Sequence, residues 1–247
     1  MIIRILGSAG WIPGKNETSC VMIEHNDMLF LLDAGTGISN LFKYKDVLEK
    51  YDTIHVILSH YHLDHTIGLI YLDPLVRNKT LRIYGPGKLA YPETTDYYIH
   101  ALLRKEFFSR NIDDFSNDVE CLDFPDYIFN IGTSVVRVLE QKHSAASFQI
   151  ALDDYVVYAT DTSFAASTLK NTSAKVLLHE CWDVDDNNSG RHSSLEQLIT
   201  FFPQSKYEKL VLIHQNPNWN ENDLSRIKRF IAGTQIVLAE DEMKIVV

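Results

Sequence analysis

Short runs of β-branched, aromatic and aliphatic residues, bounded by Gly, Asn, Asp and Pro, recur along the chain and predict strands. The opening MIIRILG and the segment SCVMIEHNDMLFLLDAG give three of them, the last two joined at His25-Asn26-Asp27, a turn-forming cluster. Between Ile38 and Leu48 the pattern changes. Ile38, Leu41, Phe42 and Leu48 recur at roughly helical spacing before TIHVILSH returns to a strand. Four later apolar runs, VVRVLEQKH, YVVYATD, AKVLLHE and KLVLIH, share one property with TIHVILSH: each ends in His, Asp or Glu. Ligand-type residues gathered at strand ends predict a binding crevice along one sheet edge.

Two late helices follow from the same pattern. Ser193 and Glu196 have capping-box spacing, and Leu195, Leu198, Ile199 and Phe202 form one apolar face behind them, so His192 is expected just before a helix N-terminus. The last helix is expected from about Asp223, with Leu224, Ile227 and Ile231 inward, to a stop at Gly233 before a closing strand. Residues 91–120, YPETTDYYIHALLRKEFFSRNIDDFSNDVE, break the rhythm: they are aromatic, charged and helical in the middle. This segment is expected either to pack against the body or to form a lid over the site or a dimer contact. Its aromatic residues would then stack on a base or close over a sugar.

Strands alternating with helices imply an α/β fold. A chain of 247 residues without a linker, repeat or low-complexity tract implies one domain over 1–247. The formal charge of −10, with no run of Lys or Arg, argues against nucleic-acid partners. Arg4 and Gly7 interrupt the opening run, so no export signal is read, and no apolar stretch is long enough for a bilayer. A cytoplasmic protein without a membrane partner is expected. Cys20, Cys121 and Cys181 lie far apart without a CxxC spacing and read as free thiols.

The chemistry concentrates in HYHLDH, which places His60, His62, Asp64 and His65 within six positions. Together with His143, Asp161 and His214 at later strand ends, these donors exceed the four or so that one Zn2+ takes. They suit two ions. In the simplest division one ion takes His60, His62 and His143, the other Asp64, His65 and His214, and the Asp161 carboxylate bridges them. Such a set suits Zn2+, and Mn2+ or Fe2+ bind similar donors. His25 in a turn, His55 inside a strand, His100 and His179 read as structural.

These residues resemble the metallo-β-lactamase superfamily, whose HxHxDH motif is matched by His60-Tyr61-His62-Leu63-Asp64-His65. LLDAGTGI before it, His143 after a strand, VYATDT around Asp161 and His214 on a late strand occur in the superfamily's order, so the resemblance covers nearly the whole chain. It is weakest over 91–120. The resemblance implies an αββα sandwich with a dinuclear metal site at one edge, and often a homodimer. Asp33 in LLDAGTG is expected outside the ligand set, holding the His60 loop in place.

The superfamily hydrolyses lactams, thioesters, lactones and phosphodiesters, so the metals alone do not select a substrate. Glu180 in LLHECW and His192 in GRHSSLEQ look like motifs of the phosphodiesterase branch, which contains tRNase Z and the phosphoribosyl cyclic phosphodiesterases. There the histidine and glutamate work as a pair beside the metals. His192, Glu180 and Asp64 are thus the expected catalytic residues. Phosphodiester hydrolysis needs a nucleophile at neutral pH, compensation of charge on the non-bridging oxygens, and a proton for the leaving alkoxide. Two metals sharing a water supply the first two needs, and His192 as imidazolium supplies the third.

tRNase Z grips tRNA with a long arm, in bacterial forms inserted between the residues matching His143 and Asp161, which here are only 18 positions apart. That spacing argues against tRNA processing. The compact layout, LRIYGPG and LIHQNPNWNENDL look more like the phosphoribosyl cyclic phosphodiesterase group. Related compact members include phage-encoded enzymes that destroy cyclic nucleotide signals. The expected activity is a metal-dependent phosphoric diester hydrolase acting on a small cyclic phosphodiester by attack of metal-bridged hydroxide on phosphorus. The alternatives are a tRNase Z-like RNA endonuclease and a lactone or thioester hydrolase on the same metals.

Overall fold

A computed structural model of the chain describes residues 1–170, 172, 174–186 and 190–247. One sheet holds β1 (Ile2–Gly7), β2 (Cys20–His25), β3 (Met28–Leu32), β4 (Thr53–Ile57), β5 (Thr80–Gly85), β6 (Asp118–Asp123) and β14 (Lys244–Val246). Its order is β14-β1-β2-β3-β4-β5-β6. The other holds β7 (Ile128–Ile131), β8 (Ser134–Gln141), β9 (Ser147–Leu152), β10 (Val156–Ala159), β11 (Val176–Glu180), β12 (Lys209–Ile213) and β13 (Ile236–Leu238), in the order β13-β12-β11-β10-β9-β8-β7. Each sheet is antiparallel in its first half and parallel from β3 to β6 or from β10 to β13. Residues Asn26 and Asp27 both take left-handed φ, 50° and 56°, the turn geometry whose twist suits a two-residue hairpin between β2 and β3.

The two sheets face each other. Ile3, Ile5, Ile23 and Phe30 of one meet Val138, Phe148, Ile150 and Tyr158 of the other in a fully apolar interior. The opposite face of the first sheet packs Leu29, Leu31 and Val56 on Ile38, Leu41, Leu72 and Ile99. Val157, Leu177 and Leu210 of the second pack on Leu195, Leu198, Phe201 and Ile227. Strands covered on both sides must be apolar at successive positions, which is why VLLHE of β11 is buried throughout. The result is the expected αββα sandwich. Among the described residues no helix is long and apolar enough to cross a membrane, and the three cysteines are free.

Three local expectations shift. The helix Leu195–Phe201 is capped by Ser194, not Ser193, in a reciprocal box with Gln197. Ser193 is engaged elsewhere: its N–H donates to Glu180 and its hydroxyl to the Thr162 carbonyl. The last helix, Glu221–Ile231, begins earlier because Asn220 caps it by accepting from the N–H groups of Asn222 and Asp223. Between Ile38 and Leu48 the helical spacing is realised mostly as a 3-10 run, Thr36–Tyr44, followed by a single α-turn, Lys45–Leu48; Phe42 faces solvent. Within 91–120 the helix Thr95–Leu102 forms, and Tyr91 and Tyr98 pack on Tyr61, while Tyr97 and Phe107 stay exposed.

Candidate metal centre

Six strands end at one edge of the sandwich and carry the polar cluster. Asp33 follows β3, His60 and His62 follow β4, His143 follows β8, Asp161 follows β10, Glu180 ends β11 and His214 follows β12. Asp64 and His65 lie on the short helix Leu63–Thr66. Asp33, Asp161 and His214 take left-handed backbone, φ 58°, 46° and 47°. Asp and His tolerate this region better than most residues, yet each instance costs about 1–3 kcal/mol and needs firm surroundings.

Donor atoms converge in three groups that share Asp161, two around the ligand candidates and a third that joins Asp161 and His214 to Glu180 and His192. In the first, Asp161 Oδ2 lies 3.0 Å from His60 Nε2, 3.5 Å from His143 Nε2 and 3.9 Å from His62 Nδ1. His143 Nε2 and His62 Nδ1 are 3.4 Å apart. In the second, Asp64 Oδ2 lies 3.3 Å from both His65 Nε2 and His214 Nε2, which are 3.3 Å from one another. Asp161 reaches this group too, at 3.2 Å from each of those nitrogens. All seven sequence-derived ligand candidates are therefore brought together around Asp161.

The donor chemistry fits metal ions. His65 Nδ1 donates to Asp33, so the neutral ring presents Nε2 as an acceptor, facing His214 Nε2 and carboxylate oxygens of Asp64 and Asp161, and a cation satisfies such a gathering of lone pairs. His60 Nε2 is buried without hydrogen-bond geometry to any neighbour, despite its 3.0 Å approach to Asp161. A tetrahedral ion holding ligands at about 2.0–2.1 Å separates neighbouring donors by about 3.3–3.4 Å, a value inside the 3.0–3.9 Å spread found here.

The outer layer fixes these donors. Asp33, fully buried, accepts from the N–H (2.6 Å) and hydroxyl (2.8 Å) of Ser59, from His65 Nδ1 (2.7 Å) and from the Tyr158 hydroxyl (2.7 Å). It thus holds the His60 loop, as expected, and in addition orients His65 directly. Gly35 lets the chain pass Asp64: a β-carbon there would sit 2.2 Å from the Asp64 carbonyl oxygen.

Glu180 and His192 form a third element. Glu180, fully buried, accepts from His192 Nδ1 (2.8 Å) through Oε2 and from the N–H groups of Thr162 (3.1 Å) and Ser193 (2.9 Å) through Oε1. His192 Nδ1 is also 3.8 Å from Asp161 Oδ1. The Trp182 ring stacks on His192, centroids 4.7 Å apart and 20° from parallel, and the Trp219 indole N–H holds the Trp182 carbonyl at 3.0 Å. A cleft of about 430 Å3 opens beside this pair, lined by Lys142, His143, Ser144, Gly190, Arg191 and His192.

Burial disfavours charge on every group here, so the partners decide each outcome. Burial would raise the carboxyl pKa values of Asp64 and Asp161, but the surrounding histidines hold both well below the usual range. Burial lowers His60 to about 4, with His65 adding to the effect, and it lowers His143 despite Asp161. For His214, Asp161 and hydrogen bonds to Asp64 and Glu180 overcome burial and push the pKa up to about 10. His65 is raised by Asp64 and Asp33. Likewise the hydrogen bond to Glu180 and its charge raise His192 against burial. Without a metal the edge thus sets ionised carboxylates against protonated imidazoles.

The histidines read as structural are accounted for elsewhere. His25 pairs with Asp153 at 2.8 Å, His179 hydrogen-bonds the Glu180 carbonyl, His100 sits by Asp96 and Asp113, and burial lowers His55 to about 4. Sequence reading missed Ser59, Tyr158, Trp182 and Trp11. Tyr158 lies in a strand buried on both faces, where alternation gives no facing signal. Trp11, in SAGWIPGKNETS, was detectable as a lone large aromatic in a turn-rich segment; its N–H donates to Asp64 Oδ2 at 2.8 Å.

Comparison with known proteins agrees with this architecture. The model of the family described as Anti-Pycsar protein Apyc1 matches residues 1–236. The probable metallo-hydrolase YhfI of Bacillus subtilis is 28% identical over 206 residues, 79% of this chain and 80% of that protein. The crystal structure of YhfI, a metallo-β-lactamase fold protein, superposes with a TM-score of 0.75 at 23% identity over 99% of both chains. The short form of human tRNase Z superposes with a TM-score of 0.71 at 21% identity, over 100% of this chain and 99% of that one.

Proposed function

Because the chain belongs to the family described as Anti-Pycsar protein Apyc1 and is a metal-dependent hydrolase of the metallo-β-lactamase fold, we propose that it is a dinuclear phosphodiesterase acting on a small cyclic phosphodiester. The substrate is of the cyclic nucleotide or phosphoribosyl cyclic phosphate type. The site is part of one domain over residues 1–247, since both sheets share one apolar interior.

In this reading His60, His62 and His143 would hold one ion and Asp64, His65 and His214 the other, with Asp161 available to both, a division supported by the two donor groups around these residues that share it. Divalent ions, Zn2+ the best match to the donors, would when bound supply an activated water and a positive clamp for the phosphoryl oxygens. Asp64 accepts a hydrogen bond from the attacking water and orients it. As the ring P–O bond opens, His192 passes a proton from Nε2 to the leaving oxygen, while Glu180 holds Nδ1 and balances the imidazolium charge. Water provides the oxygen of the new P–O bond, and the product is a phosphate monoester.

The observation that carries this reading is the 2.8 Å contact between His192 and a fully buried Glu180 beside Asp161. An alkoxide leaving group needs the proton this pair supplies. Lys142 and Arg191 line the adjoining cleft, so a chain of net charge −10 presents cations where an anion approaches. β9 and β10 fill the interval between His143 and Asp161, which leaves no inserted arm there to grip tRNA.

The test is turnover by purified, metal-quantified protein of bis-p-nitrophenyl phosphate, 2′,3′- and 3′,5′-cyclic nucleotides, ribosyl cyclic phosphate and a tRNA precursor. One cyclic phosphate cleaved far faster than the rest is expected. Silence across the panel in protein holding two metals would overturn the reading in favour of a lactone or thioester substrate; preference for the tRNA precursor would replace it with RNA cleavage.

A further inference from the structure

The chain has three tryptophans. Trp182 stacks on His192 and Trp219 anchors Trp182, so both serve the site from within. Trp11 is different. It is 62% exposed, and among the described residues its indole has no ring or hydrogen-bond partner. Leaving so large an apolar ring in water contributes nothing to folding.

Its backbone is unusual as well. Trp11 has φ 63°, and the Ile12 N–H donates to the Gly10 carbonyl at 2.8 Å, closing a tight turn of the strained γ type around it. A bulky side chain is the wrong residue for such a turn, and glycine the easiest. Strain of this kind persists only where the surroundings impose it. Here the metal centre imposes it: the Trp11 N–H donates to Asp64 Oδ2 at 2.8 Å, and the Gly10 N–H donates to the carbonyl of Gln215, next to His214, at 2.9 Å. Gly10 lies so close to the His214 ring that a β-carbon would come within 2.5 Å of it. The loop is pinned to Asp64 and to Gln215, the neighbour of His214. Only the α- and β-carbons separate the pinned nitrogen from the exposed indole, so the ring stands at the rim of the site.

We propose that Trp11 is the stacking platform for the base of the substrate, so that the enzyme selects nucleoside cyclic phosphates over cyclic phosphates that carry no base. This rests on the phosphodiesterase reading above and narrows it. A flat ring carried on a backbone pinned beside Asp64 can bind any nucleobase through its π-face, with little discrimination among bases.

The test compares Trp11→Gly, which removes the ring and suits the left-handed turn, and Trp11→Phe, which keeps an aromatic face, with the wild type. All three are loaded to equal metal content and assayed on a 3′,5′-cyclic nucleotide and on abasic ribose 3′,5′-cyclic phosphate. In Trp11→Gly the ratio of kcat/KM for nucleotide over abasic substrate should fall about 5- to 150-fold, the range for losing one base stack. The loss should lie in KM rather than kcat, because the contact is remote from phosphorus. Trp11→Phe should recover most of it. An unchanged ratio, or a loss shared equally by both substrates, would overturn the platform while leaving the phosphodiesterase intact. A metal-loaded wild type inert on both substrates would overturn the phosphodiesterase reading and the platform with it.

Discussion

Replacing Tyr158 by phenylalanine isolates the link between the two sheets at the metal edge. Its hydroxyl, on β10, donates at 2.7 Å to Asp33 Oδ2 at the end of β3, and both side chains are fully buried. Burial and the Asp33 charge raise the phenol pKa well above its ordinary value, so it remains a donor at every working pH. Phenylalanine keeps the ring and removes only the hydroxyl, so the main loss is the hydrogen bond to Asp33. A hydrogen bond to a charged group contributes about 1.5–3 kcal/mol. Asp33 keeps its bonds from Ser59 N–H, Ser59 hydroxyl and His65 Nδ1, which places the cost near the lower end, about 1.5 kcal/mol. Outer-layer losses weaken metal binding about 10- to 100-fold, and about tenfold is expected with three donors remaining. Urea unfolding of the metal-free protein measures the first quantity and chelator competition the second. Because Asp33 orients His65, the affinity loss should fall on the ion held by Asp64, His65 and His214. Unchanged stability, or equal weakening of both ions, would refute the reasoning.

Further outcomes follow from the same geometry. Asp161→Ala removes the carboxylate shared by both donor groups, so bound metal should fall well below two per chain and turnover should vanish; full metal content would reject the bridging assignment. His192→Ala should retain both metals yet slow poor leaving groups far more than nitrophenolate, and equal losses on both would remove its role as acid. Glu180 raises the His192 pKa against burial, and a general acid works only while protonated. The rate on a poor leaving group should therefore fall with rising pH only above the ordinary imidazole range, and Glu180→Gln should move that fall to lower pH; a fall at the same pH in both proteins would show that another group titrates. His65 and His214 carry raised pKa values without metal, so metal uptake at pH 7 should release protons to a weakly buffered solution. Uptake without proton release would mean that these two nitrogens are not ligands.

The sequence by itself determined the strands, their covered faces and the set of candidate ligands, because these depend on local features. Apolar runs such as VLLHE and KLVLI had to become strands covered on both sides, and a His, Asp or Glu directly after each run could only fall at a strand end. Helix starts were less secure, because a cap depends on which competing serine is free. Ser193 has the right spacing, but Glu180 and Thr162 engage it, so the cap falls to Ser194. The division of the donors was already expected from the chain, but only tertiary structure brings them within reach, since contacts such as that between His65 and His214 join positions 149 residues apart. It also decided the outer layer: Tyr158 looks like any core aromatic until the opposite sheet brings Asp33 within 2.7 Å of its hydroxyl. Trp11 shows the same division. Its residue type and turn-rich setting are written in the chain, but its strained turn and place at the rim exist only because Asp64 and Gln215, far away in sequence, supply the acceptors that hold it there.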